Sequence, residues 1–214
     1  MRYEAERQEL IDCARAMERR GLVAMSGGNV AMRMPCGNVL VTPSAMGYDT
    51  MVPEDIVLVD TKGSAIEGTR RPTSDLTALL YIFNHMPDVN VTIHTHQPMA
   101  TALSLVCDQL PADFVTVIDE LGGPVNVAPF TRSSDEGMGI AVVEHHGGSH
   151  AVILGHHGVI SLGKDIDQAL CAAIYLEEAC QCYLMALSTG LPVAHLTPEQ
   201  IADEAQERGY YGQP

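Results

Sequence analysis

His94, Thr95 and His96 close the apolar segment Val89-Asn90-Val91-Thr92-Ile93. In an extended strand, successive side chains point to opposite faces. Val89, Val91 and Ile93 are then expected on one face, and Thr92, His94 and His96 on the other. Two imidazoles two residues apart on one strand face can converge on a single metal ion. A second apolar run, Ala151-Val152-Ile153-Leu154, ends in Gly155-His156-His157-Gly158. Either His156 or His157 can supply a third ligand, and three protein ligands leave a coordination position open for substrate. Such a site suits chemistry at carbonyl or sugar oxygens. Gly155 and Gly158 are expected to let the backbone bend and turn a histidine inward.

Other segments offer groups that could work beside an ion. Asp75 stands in Arg71-Pro72-Thr73-Ser74-Asp75, ahead of an apolar helical pattern. An acidic residue there is favoured by the helix dipole alone. The same segment puts two hydroxyls and free backbone amides at a helix N-terminus, which suits a phosphate. Gly28-Asn29 and Thr42-Pro43-Ser44-Ala45 add further amide and hydroxyl donors, useful only where these loops meet in space. His145, His146 and His150 flank Gly147-Gly148 and read as solvated loop histidines, while His85 and His195 read as helix-edge residues.

The elements that must position these groups follow from periodicity. Leu10, Ile11, Ala14 and Met17 recur at helical spacing over about 4–20. Pro35-Cys36-Gly37-Asn38 marks a hairpin turn into Val39-Leu40-Val41, and Ile56-Val57-Leu58-Val59 and Ala65-Ile66-Glu67 read as strands. A helix striped by Leu76, Leu79, Leu80 and Phe83 precedes the histidine strand. A short helix over 99–105 follows it. Residues 113–130 read as short strands broken at Gly122-Gly123-Pro124. Helices are expected over 134–145 and 165–188, with the strand Val159-Ile160-Ser161-Leu162 between. Thr197-Pro198-Glu199-Gln200 has the spacing of a capping box and opens a last helix. This order predicts one α/β domain over 1–214: helices flanking a central, mostly antiparallel or mixed sheet in three layers, and no doubly wound parallel sheet.

The chain has 214 residues, 46% hydrophobic and 18% charged, the composition of a globular domain with a substantial core. A formal net charge of -15 disfavours nucleic acid and anionic membranes as partners. It also means that an anionic substrate needs local compensation from a metal, an arginine or a helix N-terminus. The 6 cysteines show no disulfide or zinc-knuckle spacing and read as free thiols, which fits the cytoplasm. The first residues lack the apolar core of a signal peptide, and no apolar run is expected to reach membrane-spanning length.

Taken together, these residues resemble the class II aldolase/adducin family, which holds fuculose-phosphate-type aldolases, L-ribulose-5-phosphate 4-epimerases and some decarboxylases. The resemblance runs in order along nearly the whole chain. Gly28-Asn29-Val30 is similar to the family's Gly-Asn phosphate loop. Thr42-Pro43-Ser44 is similar to its Thr-Pro-Ser/Thr-Gly turn, with Ala45 where glycine is usual. Thr73-Ser74-Asp75 resembles the Ser-Ser-Glu/Asp segment, His94-Thr95-His96 the paired metal ligands, and His156-His157-Gly158 the His-Gly segment. Tyr210-Tyr211-Gly212 resembles the C-terminal Tyr-Gly, whose tyrosine reaches a neighbouring subunit's site.

The resemblance implies a divalent metal on His94, His96 and His157, with zinc first and manganese or another ion as alternatives. It implies Gly28, Asn29, Ser44, Thr73 and Ser74 around a phosphate. It also implies Asp75, Asp119 and Tyr211 as acid/base groups, and a cyclic homotetramer with sites at its interfaces. The expected reaction is cleavage or formation of a C–C bond in a small ketose phosphate through a metal-stabilised enediolate. Epimerisation at C4 and decarboxylation are the alternatives. Asp75 in place of glutamate, and the spacing of Pro111 and Asp119, are similar to the epimerases; the His-His-Gly form and chain length are closer to the aldolases. Adducin-like structural members lack the metal histidines.

Overall fold

The computed structural model describes residues 1–133 and 135–207. Ser134, Tyr210, Tyr211 and Gly212 lie outside the described residues. The first helix, α1 (Glu4–Arg19), buries Leu10, Ile11, Ala14 and Met17. The hairpin of β1 (Asn29–Arg33) and β2 (Val39–Val41) turns at Gly37, as the turn residues require. β3 (Val57–Val59) and β4 (Ala65–Glu67) continue the meander. Then come α2 (Leu76–His85), β5 (Val91–Thr95), α3 (Pro98–Leu103), β6 (Gln109–Leu110), α4 (Val115–Leu121) and β7 (Val125–Ala128). α5 (Glu136–His145), β8 (Ala151–Leu154), β9 (Gly158–Gly163), α6 (Ile166–Ser188) and α7 (Pro198–Glu207) complete the order.

Among the described residues the strands form one sheet in the order β4-β3-β2-β1-β5-β9-β8-β7-β6. Only β7 and β8 pair in parallel, so the expected mixed, mostly antiparallel sheet is present. Strand alternation divides the core. Ala31, Val41, Val57, Val59, Ile160 and Leu162 pack under α2 and α5. Val30, Leu40, Leu58, Val91 and Ile93 pack under α1 and the first part of α6. Ile153 and Val159 pack under α3, α4 and the rest of α6. The result is three layers, with β5 and β9 at the middle.

The structure departs from the sequence reading at several points. Residues 115–121 form α4 rather than a strand. Its β-branched content favours extended chain, but Val117, Ile118 and Leu121 lie on one helical face and are buried with α6 residues. Gly122, at φ 80°, ends the helix in the left-handed region. β5 stops at Thr95, so His96 lies just beyond the strand. Val89 precedes the strand and packs under α2, not with Val91 and Ile93. α6 is long and apolar enough by composition to cross a membrane, against the expectation of no such run. Ala169, Ala172, Ala173, Leu176, Ala179 and Cys180 form its buried stripe. The capping box at α7 forms as read: Gln200 N donates to Thr197 Oγ1 and Thr197 N donates to Gln200 Oε1.

The glycines around the histidine turn act by size rather than by flexibility. Neither Gly155 nor Gly158 takes a positive φ; the left-handed residue is His156, at φ 59°. A Cβ on Gly158 would lie 2.2 Å from the Thr95 carbonyl oxygen, and one on Gly155 would lie 2.8 Å from that of Ala128. The strand backbones pass too close for any side chain at these positions.

Two consequences are measurable. Gly158→Ala forces β9 away from β5 and is expected to cost about 3 kcal/mol, roughly a 10 °C fall in the thermal unfolding midpoint. Ala45 sits at φ 55°, in the left-handed region that glycine adopts without a Cβ penalty. A left-handed residue with a Cβ costs about 1–2 kcal/mol, whereas the extra unfolded-state freedom of glycine costs roughly 0.4–1 kcal/mol. Ala45→Gly is therefore expected to raise stability slightly in a denaturant titration.

Candidate metal centre

His94 is the buried anchor of the site. It stands on β5 opposite Ile160 of β9 on one side and Asn29 of β1 on the other. Its Nδ1 lies 2.9 Å from the Val159 carbonyl oxygen. A carbonyl only accepts, so Nδ1 carries the proton and donates it. Burial pushes the His94 pKa down to about 4, against the opposing pull of Asp75. The ring is therefore neutral near pH 7, and its Nε2 presents a bare lone pair.

That lone pair has company of the same kind. His96 Nε2 lies 3.1 Å from His94 Nε2. His157, at the turn before β9, brings its ring centroid to 4.8 Å from His94 and 5.2 Å from His96. One ligand atom from each of the three histidines falls within 4.8 Å of the others. Burial lowers the pKa of His96 and of His157 as well, which favours the neutral, ligating form of both. Asp75 Oδ2 lies 3.9 Å from His94 Nε2.

An unprotonated nitrogen aimed towards a carboxylate and two other imidazoles is electrostatically incomplete without a cation. The His94–His96 spacing of 3.1 Å also fits one, since nitrogens at about 2.05 Å from a tetrahedral zinc stand roughly 3.3 Å apart. The donor set, three neutral imidazoles with a carboxylate nearby, therefore fits a divalent ion of the zinc type. His156 is not part of it. Its side chain is exposed and lies beside Phe130, and its backbone amide donates to Ser104 Oγ at 3.1 Å.

The predicted oxygen-rich loops do meet. Asp75 caps nothing on α2; its Oδ2 accepts from Asn29 Nδ2 at 2.8 Å, in a buried contact. The loop after β2 is joined to the loop before α2 by a Pro43–Pro72 bridge. Ser44 N donates to Arg71 O at 3.0 Å, and Thr73 N donates to Thr42 O at 3.1 Å. Ser44, Thr73 and Ser74 are thus drawn to the N-terminal end of α2. Gly28, at φ 80°, lies so close to β5 that a Cβ would stand 2.3 Å from the His94 carbonyl oxygen. Asn29 Oδ1 is buried with no hydrogen-bond partner among the described residues, so the site holds an unspent acceptor beside Asp75.

Some predicted residues are not brought together. Asp119 lies on α4, whose last carbonyls, Glu120 O and Leu121 O, bond His150 Nδ1 and Ser149 Oγ. Those residues lead into the start of β8, whereas His157 follows its far end. Within this chain the α4 end that follows Asp119 is therefore tied to the start of β8, and His157 lies beyond the end of that strand. Tyr211 is outside the described residues. The loop histidines are less solvated than expected: His145 Nδ1 donates to Ala141 O, and His146 Nδ1 accepts from Gly148 N. His195 is pinned to Asp113 at 2.6 Å.

Sequence reasoning missed Tyr48. Its hydroxyl donates to Gly27 O and Gly28 O at 3.0 and 2.9 Å, and so holds the loop that bears Asn29. Burial pushes its pKa up, which keeps the hydroxyl a donor. No local pattern marks that tyrosine, because it stands 20 residues from the loop it supports.

With this geometry in view, the similarity to known proteins has a physical basis. The family model for the class II aldolase and adducin N-terminal domain matches residues 8–184. The 5-deoxy-D-ribulose 1-phosphate aldolase of Bacillus thuringiensis serovar kurstaki is 32% identical over 216 residues, covering 100% of both chains. The L-fuculose phosphate aldolase of Haemophilus influenzae is 31% identical and covers 91% of this chain and 89% of its own. A solved structure of L-fuculose 1-phosphate aldolase superposes with a TM-score of 0.87 at 26% identity, over 94% of each chain. The chain belongs to the class II aldolase and adducin family.

Proposed function

We propose that this protein is a metal-dependent aldolase that breaks and re-forms the C3–C4 bond of a small ketose phosphate. The His94, His96 and His157 cluster beside Asp75 carries this reading. The named relatives act on sugar phosphates, two of them 1-phosphates. A 1-phosphate ketose would divide into a three-carbon phosphate and an aldehyde.

In this reading, His94, His96 and His157 hold one divalent ion, zinc in the first instance. When bound, it supplies Lewis acidity at the carbonyl and hydroxyl oxygens of the sugar. Asp75, oriented by Asn29, would move the proton at C3, the carbon next to the carbonyl, and a second acid/base group would carry the proton of the C4 hydroxyl. Gly28, Asn29, Ser44, Thr73 and Ser74 receive the phosphate through amide and hydroxyl donors at the start of α2. Asp119 and Tyr211 are the further acid/base groups, Tyr211 coming from a neighbouring chain of a homotetramer in which the sites lie at interfaces. A single domain over 1–214 working in the cytoplasm completes the proposal.

Protein purified without a histidine tag is expected to hold about one divalent ion per chain by elemental analysis, and His94→Ala to hold almost none. The metal-loaded protein should release a trappable aldehyde from a ketose 1-phosphate such as 5-deoxyribulose 1-phosphate or fuculose 1-phosphate, with His94→Ala slowed at least 100-fold. Equal metal content in the parent and His94→Ala would falsify the metal reading. Interconversion of C4 epimers with no aldehyde released would replace aldolase with epimerase.

The metal-free protein should show a pH signature of His94. Its folded pKa of about 4 lies below the ordinary 6.5, so the unfolded state binds the proton first as pH falls. Stability from this group is full above pH 6.5, declines through that range and is lost near pH 4. The loss amounts to about 3 kcal/mol. Denaturant midpoints measured across that range should fall more steeply for the parent than for His94→Asn.

A further inference from the structure

α6 runs alongside the loop that leaves β5. Ala173 and Glu177, one helical turn apart on α6, both face that loop. The Ala173 carbonyl accepts from the buried Gln97 Nε2. The Glu177 carboxylate accepts from Met99 N at 2.8 Å and from Ala100 N at 3.0 Å. These amides belong to the first turn of α3, where no intrahelical acceptor is available. Gln97, the N-cap of α3, makes no capping bond with its own side chain. A carboxylate from a distant helix therefore does the capping.

His96 is the residue directly before Gln97, and it needs such a hold. His94 is fixed twice, by the β5 ladder and by Val159 O. His96 has left the strand. Its ring is confined sideways between Gly27 and Gly158, where added Cβ atoms would stand 3.1 Å from Nδ1 and 3.2 Å from Cδ2. Those walls do not set how far the backbone carries Nε2 towards His94. The short path His96-Gln97-Pro98-Met99 does, and its far end is tied to Glu177.

We propose that Glu177 is a positioning residue for the metal centre, setting the reach of His96 by anchoring the start of α3. The inference rests on the reading of the triad as a metal site. Glu177→Gln keeps the side chain's length but replaces one of its two accepting oxygens with an NH2 group. It is expected to weaken binding of zinc(II) and cobalt(II) by 10- to 100-fold in a chelator competition on metal-stripped protein. The visible spectrum of its cobalt(II) form, which reports ligand geometry, should change as well. Asp165→Ala is the structural control. Asp165 Oδ1 caps the start of α6 by accepting from Gln168 N at 2.9 Å, so its loss should lower stability with affinity and spectrum unmoved. Should Glu177→Gln not yield folded protein, Glu177→Asp, which withdraws the carboxylate by one methylene, is read in the same titration.

Parental affinity and spectrum in the Glu177 variant overturn the proposal while leaving the metal site standing. So does an affinity loss matched by Asp165→Ala. A parent that takes up neither ion overturns the metal site itself and the proposal with it.

Discussion

The pairing of β5 with β9 governs the site. It places His94 Nδ1 against Val159 O, and that one hydrogen bond selects the tautomer, fixes the ring plane and turns Nε2 towards His96 and His157. Burial between the strands then keeps the ring neutral. The same strand residue has Asn29 across from it on β1, and Asn29 holds the carboxylate of Asp75. Donor tautomer, ligand direction and the nearby acid group thus depend on one register. A one-residue slip of β5 would point His94 at the other face and separate all three.

Close backbone approach is the condition for that register. Gly28 and Gly158 stand on either side of β5, each against a carbonyl oxygen of the histidine segment. The strain that remains is stored at His156, a bulky residue in the left-handed region whose side chain faces outward. That conformation costs on the order of 1–3 kcal/mol, and it turns the chain so that His157, not His156, faces the centre. The surrounding β8–β9 hairpin is buried throughout its strands and can hold such a turn.

The parts legible in the sequence were those encoded over a few residues. Alternation set His94 on the face away from Val91 and Ile93, turn residues marked the β1–β2 hairpin, and Thr197 with Gln200 marked the start of α7. The less legible parts depend on contacts between distant segments. α4 was hidden because its β-branched residues favour a strand until α6 buries one helical face. The Pro43–Pro72 bridge that unites two oxygen-rich loops joins segments 29 residues apart, and no periodicity records it. The Glu177 cap on α3 joins segments 77 to 78 residues apart. The glycines at 155 and 158 were visible, but whether they served freedom or proximity was decided by the neighbouring strand.

The charge balance of the site bears on how so acidic a chain would meet the proposed phosphate. At physiological ionic strength, fields are screened over about 8 Å, so most of the 27 acidic side chains act weakly at the triad. The three imidazoles are held towards the neutral form and add no charge of their own. Asp75 is the charge placed against them, and its Oδ2 is already engaged by Asn29. Without a cation the centre is therefore locally negative and repels a phosphate. With a divalent ion on neutral ligands the sign reverses, and the amides at the start of α2 then work with the centre rather than against it. Burial of His94 thus has an electrostatic consequence beyond ligation: by keeping the ligand set uncharged, it would let Asp75 and a bound ion alone decide the sign that the proposed substrate meets.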